Sequence, residues 1–251
     1  MPQRCICKVT DSRALCRGVQ LLTVSAPEIA DAARPGQFVH LTCSDGLFLR
    51  RPVSICSASD GLLTMVVEAR GEGSSLLTGL IPGDDADLLG PLGSGFSIPA
   101  GRVLVVGGGI GVPPLLYAAM RADSADAVLG FRSKDRIILK DEFEAVCGSV
   151  AVTTDDGSFG ERGSVTEPVE RFLNEGAYAA VLACGPRVML RAVYELCAQR
   201  GIPCQVSMEE RMGCGVGACL VCACKTVENG EEKMRRVCRD GPVFNASEVV
   251  W

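Results

Sequence analysis

The chain has 251 residues and a net charge of −5 at pH 7, with a pI of about 5.1; this balance argues against nucleic acid or an anionic membrane as the main partner. Hydrophobic residues make up 47% and charged residues 22%, so the chain can bury a core and need not be disordered. No apolar run approaches the roughly 20 residues of a membrane span, and the one histidine, His40, excludes a Rieske centre, a Ser-His-Asp triad and a multi-histidine metal site.

Residues 1–98 read as short strands with turn signals between them. The candidates are Arg4–Val9, Val19–Ser25, Gln37–Cys43, Pro52–Ala58, Leu62–Glu68 and Ala86–Leu89, punctuated by Pro35-Gly36, Asp60-Gly61 and Pro82-Gly83. Strands at this rhythm predict a small antiparallel barrel. Within it, Arg50-Arg51-Pro52-Val53-Ser54 offers a guanidinium fork suited to a diphosphate. Gly71-Glu72-Gly73-Ser74, opening a short helix over Ser74–Leu80, offers backbone N–H groups to a phosphate, or is a plain turn with a cap. Fourteen cysteines, behind a start (Met1 to Lys8) without signal-peptide character, predict a reducing cytoplasm rather than a disulfide scaffold. Most outside the C-terminal motif, such as Cys5, Cys7, Cys43, Cys147 and Cys197, read as small buried hydrophobes.

Residues 99–206 change to strand–helix alternation: strands at Arg102–Val106, Ala127–Phe131, Val150–Thr154, Ala180–Ala183 and Pro203–Val206, and helices at Val112–Met120, Val165–Asn174 and Arg187–Gln199. Such alternation predicts a parallel sheet with right-handed crossovers. The first strand runs into Gly107-Gly108-Gly109-Ile110-Gly111, a glycine-rich turn of the kind that holds a pyrophosphate, with Val112 where a third fingerprint glycine belongs. Arg132-Ser133-Lys134 follows the second strand in place of an acidic residue, which leaves NAD and NADP both open. The loop Thr153–Gly160, at a carboxyl strand end, either lines a cofactor cleft or is solvated.

Residues 207–251 carry Cys214, Cys219 and Cys222 in the spacing C-x4-C-x2-C, then Cys238 after fifteen further residues. This matches the plant-type [2Fe–2S] pattern: four thiolates for two irons, three of them on one tight loop. Gly213, Gly215 and Gly217 are expected to let the loop curl with positive φ. A hairpin of Ala223–Val227 and Lys233–Val237 around Asn229-Gly230 returns the fourth ligand, and Asp240–Phe244 closes the module. Structural zinc is the competing reading, although zinc knuckles pair one C-x2-C with another. Cys224, just beyond the ligand run, is an open candidate to compete for iron.

Several of these pieces resemble the ferredoxin reductase superfamily. Arg51-Pro52-Val53-Ser54 is similar to its R-x-Y/F-S flavin motif, with Val53 in the aromatic position; Gly90-Pro91-Leu92-Gly93 resembles its barrel-closing turn, and Cys184-Gly185-Pro186 its nicotinamide-side turn. The order of barrel, nucleotide sheet and C-terminal cluster module resembles the electron-transfer subunit of the class 1B dihydroorotate dehydrogenases. The fold class expected is α+β and multidomain, with an FAD-binding β-barrel at 1–98, an NAD-binding α/β domain at 99–206 and a small ferredoxin-like [2Fe–2S] module at 207–251. The resemblance implies FAD held by Arg51, Pro52, Val53, Ser54, Gly73 and Ser74. Val66, Val67 and Glu68, at the end of the Leu62–Glu68 strand, count with the cofactor-binding residues. It implies NAD on Gly107, Gly108, Gly109, Gly111, Cys184, Gly185 and Pro186, with Cys184 against the nicotinamide, and a cluster on the four cysteines. It also implies a partner subunit that carries FMN and oxidises dihydroorotate in pyrimidine biosynthesis, in a heterotetramer of two plus two. Related subunits serve NADH-dependent ferredoxin:NADP reductases, sulfide dehydrogenases and sulfite reductases; a cluster-bearing redox sensor without flavin is the reading of a different class.

Overall fold

Alternating apolar and polar positions give the first third of the chain strands with one buried face, and these close on themselves. The computed structural model describes residues 2–44 and 46–251. Strands β1 (Gln3–Cys16), β2 (Val19–Ser25), β3 (Phe38–Leu41), β4 (Arg51–Ser59), β5 (Leu62–Glu68) and β6 (Asp85–Leu92), with helices α1 (Pro27–Ala32) and α2 (Glu72–Leu77), make up this part. The strands form a closed barrel in the order β1-β2-β5-β4-β3-β6, each pair antiparallel. Its interior is filled by residues such as Leu22, Val39, Ile55, Leu63, Met65 and Leu88. Closure leaves no open edge to pair with other chains.

The second part contains β7 (Arg102–Gly108), α3 (Pro113–Arg121), β8 (Ser124–Phe131), α4 (Lys140–Val146), β9 (Val150–Thr154), β10 (Glu161–Arg162), α5 (Thr166–Glu175), β11 (Ala180–Cys184), α6 (Arg187–Gln199) and β12 (Cys204–Ser207). The third adds the hairpin β13 (Ala223–Glu228) and β14 (Glu231–Arg236), then β15 (Val243–Asn245). The sheet order is β10-β9-β8-β7-β11-β12-β15. It reverses direction of winding between β7 and β11, whose carboxyl ends therefore define the crevice where such sheets bind ligands. Helix α3 joins the two parts: it packs between sheet and barrel, with Tyr117 in the barrel core and its hydroxyl donating to the Ala33 carbonyl at 3.1 Å.

Several elements depart from the sequence expectation for physical reasons. Strand β1 runs on to Cys16 because β2 pairs with it that far, although its outer half is largely exposed and shows no apolar alternation. Helices α1 and α4 are six and seven residues long, too short to show a period. Helix α2 starts at Glu72, ahead of the expected Ser74. Strand β15 pairs antiparallel with β12, so the end of the chain supplies an edge strand to the otherwise parallel nucleotide sheet. None of the fourteen cysteines forms a disulfide; of the five named as buried hydrophobes, Cys7 and Cys197 are buried, whereas Cys5, Cys43 and Cys147 are half-buried.

Candidate redox site

The barrel and the sheet face each other across a cleft of about 1180 Å³. From the barrel, Phe38, Pro52, Ser54 and Glu68 line it; from the sheet, Gly108, Gly109, Gly111, Cys184, Gly185 and Pro186 do. Two separate glycine motifs thus meet at one place, and the reason is steric. A Cβ on Gly111 would lie 2.4 Å from the Cys184 carbonyl oxygen and 2.7 Å from the Gly185 nitrogen. Gly185 has φ +155°, and a Cβ on it would come within 3.0 Å of the Gly108 nitrogen. The turn after β7 and the turn after β11 touch backbone to backbone because neither carries a side chain there. Gly107 packs against Val112 at the base of the same turn. Burial pushes the Cys184 thiol up to about 12, with a hydrogen bond to Ser207 opposing the shift, so it is a neutral group at the crevice floor.

On the barrel side, the register sets Phe38 opposite Ser54 and His40 opposite Pro52. Arg51 leans over α2: a Cβ on Gly73 would come within 2.8 Å of its guanidinium, so glycine at 73 leaves the cradle in which the guanidinium lies. The two expected phosphate contacts, distant in sequence, are therefore adjacent. Ser74 is committed locally; its hydroxyl accepts from the backbone of Arg70 at 2.8 Å and Gly71 at 3.1 Å and donates to the Gly71 carbonyl, which shapes the turn. Val53 and Val67 point into the barrel core and Val66 into the core beside the sheet, and none of the three lines the cleft. Glu68 accepts from Arg70 at 2.6 Å and from Arg136 of the sheet part at 2.5 Å, which ties the two walls of the cleft. Sequence reasoning missed Phe38, Arg70 and Arg136, whose roles depend on long-range pairing. It also missed Asp135, which lines the cleft and accepts from Ser133 at 2.5 Å, four residues past the end of β8.

The cysteine loop is built around its own backbone N–H groups. Ala218 and Cys219 donate to Cys214 Sγ at 3.3 and 3.4 Å, Cys214 to Cys219 Sγ at 3.4 Å, Cys238 to Cys222 Sγ at 3.4 Å, and Gly217 to Cys238 Sγ at 3.1 Å. Each expected ligand sulfur thus accepts at least one main-chain hydrogen bond, the environment a thiolate requires. The sulfurs neighbour each other in two pairs, Cys214 with Cys219 and Cys222 with Cys238. Two pairs suit two irons with two thiolates each. Burial works against ionising Cys214, but the N–H groups of Cys219, Val216 and Ala218 bring its pKa down to about 6; burial and the neighbouring Cys222 push Cys238 up to about 12. Gly215 and Gly217 adopt φ +71° and +83° as expected. Gly213 does not; its contribution is space, since a Cβ there would sit 3.2 Å from Cys219 Sγ. The hairpin turns at Asn229-Gly230 with both φ positive, and Arg236, held to Asp240 at 2.9 and 3.0 Å, fixes the turn that presents Cys238. Cys224 lies buried in β13.

Residues 209–250 match the model of the iron-sulfur cluster binding domain of dihydroorotate dehydrogenase B. The dihydroorotate dehydrogenase B (NAD(+)) electron transfer subunit of Geobacillus thermodenitrificans is 43% identical over 255 residues, covering 96% of both chains. This chain belongs to that family. The electron transfer subunit of Caldanaerobacter subterraneus is also 43% identical, over 86% of this chain and 87% of its own. Among solved structures, an NADH-dependent reduced ferredoxin-NADP oxidoreductase superposes with a TM-score of 0.86 at 30% identity, covering 98% of this chain and 90% of that one. A ferredoxin NADP+ reductase from Neisseria gonorrhoeae shares the fold, with a TM-score of 0.65 at 18% identity over 79% of this chain and 92% of its own. As a member of the family, the chain is an oxidoreductase subunit that transfers electrons between a catalytic partner and NAD by way of an iron–sulfur cluster and FAD. Among the described residues no helix is long and apolar enough to cross a membrane.

Proposed function

We propose that this chain takes electrons from an FMN-bearing catalytic subunit that oxidises dihydroorotate, and passes them to NAD+, in a cytoplasmic assembly of two catalytic and two electron-transfer subunits. The observation that carries the reading is that the flavin motif, the nucleotide turns and the cysteine loop converge: Pro52 and Ser54 face Gly108–Gly111 and Cys184–Pro186 across one cleft, and Gly215 of the cysteine loop lies against His40, two residues from Phe38 of that cleft.

In this reading Arg51, seated on Gly73, pairs with the FAD pyrophosphate, and Ser54 offers its hydroxyl to the flavin ring. The turn Gly107–Gly111 lets the NAD pyrophosphate approach the main chain, as the crevice of such sheets does. Cys184, neutral and compact, packs against the nicotinamide without placing a charge beside the transferred hydride, and Gly185 and Pro186 hold it there. When bound, FAD exchanges electron pairs with the nicotinamide and single electrons with the cluster. Cys214, Cys219, Cys222 and Cys238 hold the irons. Cys219 is exposed, and Val216, Leu220 and Val221 beside it are exposed apolar residues, which suits a face that meets the catalytic subunit.

The test is co-expression with the FMN-bearing β/α-barrel subunit of the same host, anaerobic purification, and assay of dihydroorotate-dependent NAD+ reduction. One FAD and two irons per chain with that activity support the reading. A complex that forms but transfers no electrons from dihydroorotate overturns it. The likeness to the ferredoxin-NADP oxidoreductase supports a second reading, the same cofactor chain serving a ferredoxin-linked partner; reduction by ferredoxin in place of dihydroorotate would favour that.

A further inference from the structure

His40 is fully buried on β3, and neither ring nitrogen has a hydrogen-bond partner within the protein. A buried imidazole must carry an N–H in either neutral tautomer, and buried donors without acceptors are rare enough to need an account. Its surroundings supply one. The ring lies against the cysteine loop so closely that a Cβ on Gly215 would come within 2.6 Å of Nδ1 and Cε1 and 3.0 Å of Nε2. Gly215 is the residue after Cys214. On the other side, Phe38 meets the ring edge-on, with centroids 5.7 Å apart, and separates it from the cleft that Phe38 itself lines. The Arg50 guanidinium donates to the His40 carbonyl at 3.2 Å.

We propose that His40 is a positioning residue of the iron–sulfur centre, packing against Gly215 with its ring N–H, which reaches none of the four cysteine sulfurs, left to donate to the inorganic sulfide of the centre. The proposal rests on the [2Fe–2S] reading of the four cysteines. It explains why the residue facing the ring is glycine, and why an imidazole is tolerated in an otherwise apolar stretch, Phe38-Val39-His40-Leu41. Reduction adds negative charge to the centre, and a hydrogen bond to sulfur stabilises that charge, raising the potential.

Because His40 is the only histidine of this chain, labelling the chain with ring-¹⁵N histidine and assembling it with an unlabelled partner marks this ring alone. The assembled complex is reduced anaerobically and the paramagnetic signal of the reduced cluster is recorded by pulsed electron paramagnetic resonance. A ¹⁵N hyperfine coupling in that signal is the expected result; its absence from a normal cluster signal overturns the proposal. A protein that yields no cluster signal overturns the cluster assignment beneath it instead. Redox titration adds a second readout: His40→Leu shifts the cluster potential downward and His40→Gln, which keeps an N–H, recovers part of the shift. Equal potentials in wild type and His40→Leu likewise sink the idea, and the labelling experiment decides the matter even if neither variant folds.

Discussion

Gly111→Ala tests whether the nucleotide site depends on the contact between the two turns. The added methyl would sit 2.4 Å from the Cys184 carbonyl oxygen, 2.6 Å from its carbon and 2.7 Å from the Gly185 nitrogen. All three are main-chain atoms of a strand end in the middle of the sheet, so no flexible side chain can yield. Overpacking of this kind costs about 1–3 kcal/mol, and a rigid opponent places it near the upper end. For a chain of this size each kcal/mol lowers Tm by about 2–4 °C, so the expected loss is about 6–12 °C. The strain is relieved by pushing the turn after β11 away from the turn after β7, and misplacement of about 1 Å at a reacting pair costs roughly 100-fold in rate. NADH oxidation with a ferricyanide acceptor, which needs FAD and the nucleotide site alone, should therefore lose kcat/KM steeply. Gly201→Ala is the control: φ is +66° and nothing lies within 4 Å of the new methyl, so it carries only left-handed strain of about 1 kcal/mol at a turn remote from the cleft. If Gly111→Ala matches Gly201→Ala in both melting and NADH oxidation, the backbone contact does not organise the site.

Cys219→Ser is expected to abolish the visible absorbance of the cluster and dihydroorotate-linked NAD+ reduction while leaving NADH–ferricyanide activity in place; an unchanged cluster spectrum removes Cys219 from the ligand set. Arg51→Ala should weaken FAD binding by roughly 10- to 100-fold, the range for a lost charge-assisted hydrogen bond, as read by flavin fluorescence titration, and unchanged affinity would move the pyrophosphate contact elsewhere. Asp87 accepts from Arg4, Arg50 and Thr42 at 2.9–3.3 Å. Burial raises its carboxyl, but these hydrogen bonds outweigh that and hold it below its ordinary value. Its stabilisation is then complete above the unfolded-state carboxylate pKa and is lost as pH falls through the lowered folded-state value. Asp87→Asn should cost about 1–2 kcal/mol at pH 7, discounted because Arg4 is exposed, and melting curves should show the gap to wild type closing in acid.

The cysteine spacing was the most legible part of the site, because metal ligation imposes a short-range geometry that sequence separation records directly. The strand–helix alternation of the sheet was nearly as clear, and α6 and β9 have their expected limits, α6 because a long amphipathic stretch carries its own period. What sequence hid depended on register and on contacts across the fold. Glu68 counts among the expected cofactor residues, but its pairing with Arg136 joins positions far apart in the chain. Gly213 stood in the same glycine run as Gly215 and Gly217, yet only the latter two need positive φ. His40 bore on the sequence argument only by its solitude, because nothing local announces that a buried strand residue will face a loop 175 positions later. The single strand β15 was invisible for a simpler reason: three residues have no measurable alternation.

That last strand bears on how the cysteine loop can serve electron transfer at all. A module of this size has too little interior to hold a fixed shape by itself, yet transfer between two centres demands a fixed separation. The fold solves this by fastening the module at both ends. On one side Cys222, Val237 and Cys238 share a continuous core with Val206, Phe244 and Val249 of the sheet edge, Met208 N–H donates to the Pro242 carbonyl at 2.8 Å, and the terminal Trp251 stacks on Tyr194 of α6 at 5.8 Å. On the other side the loop rests on the barrel through Gly215 and His40. The ligand loop is thereby anchored to both walls of the cleft, so its place relative to the cleft is set by the strands that carry Phe38 and Cys184 rather than by the loop's own stiffness. The side chains of Val216, Leu220 and Val221 are exposed and take no part in these anchoring contacts, so in the proposed assembly they remain available to the partner.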